Sequence, residues 1–355
     1  MDEFKQSKKE SIMFLKNTMI AYPVLLITSI KKSFEALGAI IGKTGKTVCR
    51  WLRPADEYYE TLLKLSIKEF ATKKELILIF DETLIRKIYS RLMEGAGSFY
   101  DTQLFRRIMA YKLLVAMLTD GSTSIPLATI LLFSKELVPN SKETKYEWIH
   151  KIILKVKDVF PATSIIVAAD GAFASKDFLL WCTNNNISAE VRMRSNCSVV
   201  YKDEKIRIRD INELRPKGRQ MARTIRVMWH DIPLFITAQR RIDKKNQESV
   251  VFQASTFEVK PIRHVRIYQT RWNIEKMFRT TKQHLGLQEC SARKMETQES
   301  HIASVFFAYA LLQCDQKQQK LATPEAALRA AERRKGTLLN RYIKRLDRFI
   351  HDVHA

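Results

Sequence analysis

Three acids and a small set of polar partners carry the chemistry this sequence could perform. Asp81 follows the apolar run ELILIF and Asp170 follows SIIVAA, so each carboxylate is expected at the end of a buried strand. Either aspartate alone reads as a helix cap or a turn residue. The third acid, Glu275, lies in YQTRWNIEKMFRTTK together with Tyr268, Arg271 and Lys282. At about 100° per residue, Tyr268, Arg271, Glu275 and Lys282 fall at roughly 0°, 300°, 340° and 320° of one helix, a single stripe about 60° wide. The stripe borders an apolar face made by Ile267, Ile274, Met277 and Phe278. Read alone, Arg271 and Glu275 form an i,i+4 ion pair on a solvated helix, which contributes about 0.3–0.5 kcal/mol.

Three clustered carboxylates repel one another, and burying them is costly unless cations compensate. Hard Mg²⁺ or Mn²⁺ prefers carboxylate oxygen, and two such ions about 3.5–4 Å apart can activate a water and stabilise a leaving 3′ oxygen. That is phosphodiester chemistry. In such a site Lys282 would contact a DNA phosphate, Arg271 would hold the glutamate or a phosphate in a bidentate fork, and Tyr268 would position a phosphate through its hydroxyl.

The composition points the same way. The 355 residues suffice for two or three domains, and 61 Lys and Arg against 38 Asp and Glu give a net charge of +23. Nucleic acid is therefore the first partner expected. The cysteines Cys49, Cys182, Cys197, Cys290 and Cys314 are odd in number and form no CxxC, which argues against a disulfide framework or a zinc site and for a reducing compartment. The longest apolar run, Met19 to Ile30, contains Pro23 and is shorter than the roughly 20 residues that span a bilayer. Lys16 interrupts the only stretch that imitates a signal peptide, so neither targeting nor a membrane is expected. His264, His284 and His301 show no HxxxH spacing and read as surface or packing histidines.

The elements that must position the acids follow from periodicity. The first 70 or so residues read as helices. ELILIF, MAYKLLVAML, SIPLATILLF and SIIVAA read as strands, with an amphipathic helix from Lys142 to Val159 stopped before Pro161. From Ser188 to Phe257 the pattern turns to alternation and β-branched residues. Helical patterns return at Arg263 to His284, His301 to Gln313 and Pro324 to Val353. The expected domains are a helical DNA-binding unit over 1–72, a catalytic core over 73–187 and 261–318, a β-rich insertion over 188–260, and a basic helical tail over 319–355.

Within the first unit, GAIIGKTGKTVCRWL contains GKT twice, yet the phosphate loop GxxxxGK[ST] lacks its first glycine in both copies, where Leu37 and Ile40 stand. No nucleotide cofactor is expected. The stretch resembles a helix-turn-helix instead, with Leu37, Gly38, Ile41, Gly42, Val48 and Trp51 at packing positions, Thr44 capping the second helix and Pro54 ending it. Lys46, Arg50 and Arg53 would then line an outer face toward phosphates or base edges. Lys43 stands where that turn usually has an apolar residue, and Gly45 inside the second helix costs about 1 kcal/mol relative to Ala.

Taken together, the motifs resemble the DDE transposases of bacterial insertion sequences, in the branch marked by Y-x2-R-x3-E-x6-K, the insertion-sequence-four type. Asp81-Glu82-Thr83 is similar to the family's D-x-T, and Asp170-Gly171-Ala172-Phe173 to its D-x-[AG]-[FY]; the likeness covers roughly residues 75 to 313. It implies an α/β fold: an RNase H-like mixed sheet flanked by helices, with a β-rich insertion. It further implies that Asp81, Asp170 and Glu275 are the catalytic and metal-binding triad for two Mg²⁺ or Mn²⁺ ions. Double-stranded DNA would be the partner, cut at transposon ends and joined through its 3′ hydroxyls to a target by a homodimer or higher oligomer in the bacterial cytoplasm, at the nucleoid. Some relatives form a DNA hairpin, and Trp229 beside His230-Asp231 is the expected aromatic to stack on a flipped base; read alone, it is a cross-strand packing residue. A nuclease that cuts without strand transfer, and an inactive DNA-binding repressor, are the rival readings.

Overall fold

The structure is a computed structural model that describes residues 19–90, 92–133, 144–242, 246–334 and 336–354. It opens on helices α1 (Ala21–Thr28), α2 (Phe34–Ile41), α3 (Gly45–Cys49) and α4 (Ala55–Phe70). The Ser33 side chain caps α2 by accepting from the Ala36 N–H, and Gly42 ends it in the left-handed conformation with φ 64°. Thr44 caps α3 as expected, accepting from the Thr47 N–H.

A sheet follows: β1 (Glu75–Arg86), β2 (Gly97–Asp101), β3 (Arg106–Thr119) and β4 (Ser124–Leu132), then α5 (Lys145–Val159), β5 (Ser164–Ala169), α6 (Lys176–Asn184) and β6 (Ser188–Met193). α5 starts on a capping box between Thr144 and Glu147; the Lys142 expected to begin it lies outside the described residues. β3 runs antiparallel to β1 and β4, whereas β1, β5 and β6 are mutually parallel. The order β4-β3-β1-β5-β6, three antiparallel strands and then parallel ones, is the RNase H-like arrangement. Central strands covered on both faces read as nearly unbroken apolar runs, which is why ELILIF, LLVAML and IIVAA carry Leu, Ile and Val without alternation.

The chain continues through β7 (Ser198–Tyr201), β8 (Glu204–Arg207), β9 (Ala222–Trp229), β10 (Ile232–Ile242) and β11 (Glu248–Ser255), and ends in helices α7 (Pro261–Thr270), α8 (Trp272–His284), α9 (Met295–Gln318), α10 (Pro324–Arg333) and α11 (Gly336–His354). All eleven described strands form one sheet, because β6 pairs in parallel with β5 on one edge and antiparallel with β11 on the other. A boundary at 188 therefore divides the chain but not the sheet. α9 is buried on all sides from Ser300 to Asp315 and packs against α1, α4, α10 and β4, as a helix in a core does. No described helix is long and apolar enough to cross a membrane.

Three boundaries differ from the sequence expectation. β1 does not end at Asp81 but runs to Arg86, because β3 stays paired along it from Asp81↔Val115 to Arg86↔Ala110. The helix expected over 263–284 is broken at Arg271, where the Arg271 N–H bonds to Tyr268 O and the Ile274 N–H to Arg271 O, each at 3.1 Å, in tight i→i+3 turns. The last helix is interrupted at Arg334, whose backbone is extended.

Candidate active site

β1 and β5 lie side by side in parallel and their pairing ends at Phe80↔Ala169, so the residues that follow, Asp81 and Asp170, stand on adjacent strands. Asp170 sits where β5 gives way to a short 3₁₀ turn over Gly171–Phe173, and its carboxylate accepts the Ala172 N–H at 2.7 Å. It is thus a capping residue as well as a candidate ligand. Asp81 Oδ1 accepts the Glu82 N–H at 2.9 Å, which leaves Oδ2 directed elsewhere.

That second oxygen meets Arg271. Its Nη1 donates to Asp81 Oδ2 at 3.0 Å and its Nη2 donates to Glu275 Oε1, so one guanidinium joins two acids that are 194 positions apart in the chain, 275 − 81. The Arg271 side chain is only 9% exposed and rests beside the Tyr268 ring, with Cζ 5.5 Å from its centroid. Burial pushes the Tyr268 hydroxyl pKa up. Burial also dominates at Asp81: it raises the carboxyl, Arg271 pulls it back, and the charges of Asp170 and Glu275 push it up, so that it stands at about 7.

Lys282, two turns past Glu275, donates to Thr83 Oγ1 at 2.6 Å. Burial, and then repulsion from Arg86, brings its ammonium down to about 8. Glu82, next to Asp81, is held by Lys112 at 2.5 Å and Lys145 at 3.2 Å. Two clefts flank the acids. One, about 510 Å³, runs along β1 past Thr83, Arg86, Asp101 and Lys282. The other, about 770 Å³, is walled by Asp170, Arg192, Arg194, Arg209, Tyr268 and Arg271.

The donor set suits a hard divalent cation: Asp81, Asp170 and Glu275 offer only carboxylate oxygen, and their crowding calls for positive charge. Arg271 stands in for that charge between Asp81 and Glu275. Among the described residues no group of three or more His, Cys, Asp and Glu side chains is gathered closely enough to hold a metal ion. The residues fit the group in chemistry, and Arg271 holds the oxygens of both Asp81 and Glu275 that a metal would take.

Tyr268, Arg271, Glu275 and Lys282 are brought to one region, as their spacing predicts. Thr83, the threonine of the D-x-T stretch, joins them through Lys282, and Arg192, Arg194 and Arg209 line the neighbouring cleft without having been anticipated. Arg192 in β6 and Arg194 just past its end alternate with apolar residues in EVRMR and are both exposed, a signal legible in the sequence. Trp272, 47% exposed with its ring 5.9 Å from the Arg271 Cζ, is the half-exposed indole next to the acids.

Two expectations are corrected. Trp229 is only 8% exposed and belongs to the core, and it sits four residues down β9 from Ile225, roughly 13 Å toward the end of the sheet away from the acids. Its indole packs and is not presented to a base. The helix expected to carry Lys46, Arg50 and Arg53 is also shorter than predicted: α3 spans five residues, Arg50 is its C-cap, and Arg53 lies beyond it, ion-paired with Glu57 at 3.1 Å. All three side chains are nonetheless exposed, Arg50 one turn from Lys46.

No curated protein matches the sequence. Among solved structures, a chain of the crystal structure of the Mos1 strand transfer complex is similar at 12% identity with a TM-score of 0.19, over 45% of this chain and 53% of that one. The likeness thus spans about half the length of the solved chain, and so loose a superposition adds no weight. A family model described as the transposase DDE domain matches residues 72–311, the span from the start of β1 through α8 and into α9 that carries all three acids. The chain is a member of the transposase DDE domain family.

Proposed function

We propose that the protein is a DNA transposase that binds the ends of its own insertion sequence, cleaves them by metal-dependent phosphodiester hydrolysis and joins the 3′ hydroxyl ends to target DNA. The observation that carries the reading is one buried arginine, Arg271, bonded to both Asp81 and Glu275, with Asp170 following the strand that pairs in parallel with that of Asp81. The Tyr268-Arg271-Glu275-Lys282 spacing supports the insertion-sequence-four branch.

Asp81, Asp170 and Glu275 would hold two Mg²⁺ or Mn²⁺ ions, which when bound activate a water and stabilise the leaving 3′ oxygen. The protein's own side chains supply the rest. Arg271, released from Glu275, offers a planar fork to a phosphate beside Tyr268. Lys282 and Thr83 face the first cleft, and Arg192, Arg194 and Arg209 line the second, so a sugar–phosphate backbone has cations on both sides of the acids. Duplex DNA as substrate, a homodimer or higher oligomer on paired ends, a DNA-binding role for the N-terminal helices and action at the bacterial nucleoid belong to the same proposal.

The test is incubation with the DNA that flanks the gene, in Mg²⁺, comparing wild type with Glu275→Gln. Wild type is expected to nick at the element's ends and to yield joined products, and the variant to lose both. Equal cutting by the two proteins would sink the assignment. Cutting without joined products would make the protein a nuclease, and specific binding without cutting would make it a repressor.

A further inference from the structure

The turn between β2 and β3, Thr102 to Phe105, closes a hairpin whose tip is apolar and exposed: Leu104 is 37% exposed, Phe105 80% and Tyr100, just before the turn, 55%. Phe105 has φ 51°, the left-handed region that a bulky aromatic avoids and that hairpin turns give to glycine or asparagine. Folding alone favours glycine there. An aromatic held outward in a disfavoured backbone is better explained by what it contacts than by what it stabilises.

The turn is also stiff. The Asp101 carboxylate accepts the N–H groups of Gln103 and Leu104, at 2.8 and 3.1 Å, and both Nε and Nη2 of Arg86. Arg86 donates in turn to Gln103 Oε1 at 2.6 Å. Arg106 and Arg107 follow the tip and are exposed, and Arg107 is fixed by donating to the hydroxyl and carbonyl of Ser98. Tyr100, Thr102 and Gln103 form a wall of the cleft that also holds Lys282 and Thr83. An apolar tip with arginines at its base, on the rim of a cleft where Arg86, Lys112 and Lys282 outnumber Glu82 and Asp101, has the charge and shape of a side chain that enters a base step while its neighbours grip the flanking phosphates.

We propose that the β2–β3 turn is a wedge for duplex DNA lying in this cleft, with Phe105 unstacking one base step and Arg106 and Arg107 on the adjoining phosphates. The inference rests on the reading of the chain as a DNA transposase. A locally unstacked, bent duplex brings more backbone onto the protein and is deformed most readily at flexible pyrimidine–purine steps.

The experiment uses the full chain in EDTA, where cutting is not needed, with linear duplexes carrying 2-aminopurine at successive positions. Wild type is expected to give a severalfold rise in fluorescence at one step, and Phe105→Gly to lose that rise while keeping or raising the melting temperature, since glycine relieves the turn. Arg106→Ala should keep the signal of bound DNA and reduce the slope of log affinity against log salt by about one. An unchanged rise in Phe105→Gly would overturn the wedge and leave the transposase reading standing. A variant that alters the oligomeric state but not the fluorescence would also overturn it, in favour of a protein contact. Absence of any DNA binding by wild type would overturn both.

Discussion

Arg271 and Asp81 form a nearly buried ion pair at 3.0 Å, and the same guanidinium holds Glu275 with its other nitrogen. Arginine neutralises the crowded acids only in part, because burial still lifts the Asp81 carboxyl to about 7. The folded pKa therefore lies above the ordinary value of about 3.9. The stability that a protonated carboxyl gives is fully present below about pH 4 and is lost as pH rises through about 7. Asp81→Asn keeps the shape without the charge. In EDTA at pH 8 it is expected to gain on the order of 1–3 kcal/mol over wild type, while cleavage in Mg²⁺ disappears. Denaturant midpoints for the two proteins across pH 4–8 decide it; a variant no more stable at pH 8 contradicts the argument.

Lys282 gives a second pH dependence, this time in binding. Its ammonium titrates near 8, so the charge fades between pH 7 and 9, and a phosphate contact then requires proton uptake. DNA affinity is expected to fall across that window in wild type and to stay flatter in Lys282→Arg, whose guanidinium remains charged. Lys282→Ala should weaken binding at pH 7 and shrink the salt slope by about one. Anisotropy titrations at several salt concentrations and pH values read both effects. A pH profile shared by wild type and Lys282→Arg would remove Lys282 from the interface.

The corner between α2 and α3 makes a prediction that opposes helix propensity. A Cβ on Gly38 would lie 2.5 Å from the Lys43 carbonyl oxygen and 2.8 Å from the Thr44 carbonyl carbon, backbone atoms that cannot swing aside. Gly38→Ala should cost about 1–3 kcal/mol, although alanine in a helix interior ordinarily gains about 1 kcal/mol over glycine. At Gly45 a Cβ meets only the Glu35 carboxylate, the end of a flexible side chain that accepts the Gly45 N–H at 3.1 Å. Gly45→Ala should therefore cost less than Gly38→Ala. Thermal melts of the two variants check the order, and the reverse order would mean the corner is not packed in this way.

These cases show why some of the site was legible in the sequence and some was not. The strands that carry Asp81 and Asp170 announce themselves because central parallel strands are apolar throughout. The end of ELILIF marks where one face turns polar, not where pairing stops, so the continuation of β1 to Arg86 had to come from β3. The spacing of Tyr268, Arg271, Glu275 and Lys282 survives the break at Arg271, because that residue keeps helical dihedrals, φ −53° and ψ −31°. The placing of Lys46, Arg50 and Arg53 on one helix fails for a tertiary reason: their spacing assumes a helix reaching Pro54, whereas α3 stops at Cys49 and Arg53 pairs with Glu57 of α4, although all three side chains stay exposed. Trp229 fails similarly, since a turn with His230 and Asp231 at positive φ says that a hairpin exists but not which end of the sheet it occupies.

His301 ties the first helix to the core and makes the fold sensitive to acid. The ring is fully buried on α9, with Nδ1 2.9 Å from the Tyr22 hydroxyl of α1 and Nε2 2.9 Å from the Gly286 carbonyl. A neutral imidazole satisfies both contacts by donating from Nε2 and accepting the Tyr22 O–H at Nδ1. Burial holds the folded pKa down at about 4, below the ordinary value of about 6.5. The unfolded chain takes up the proton first, so stability is expected to fall as pH drops from about 6.5 to about 4, by on the order of 2–3 kcal/mol, and to level off below. Glu190 works in the opposite sense, because burial raises its carboxyl to about 7 and folding gains as it protonates. The His301 share is therefore read as a difference: urea midpoints at pH 7 and pH 4.5 should draw apart more in wild type than in His301→Gln, which carries no titrating group. Equal separations in the two proteins would show that His301 is already protonated in the fold or reaches solvent.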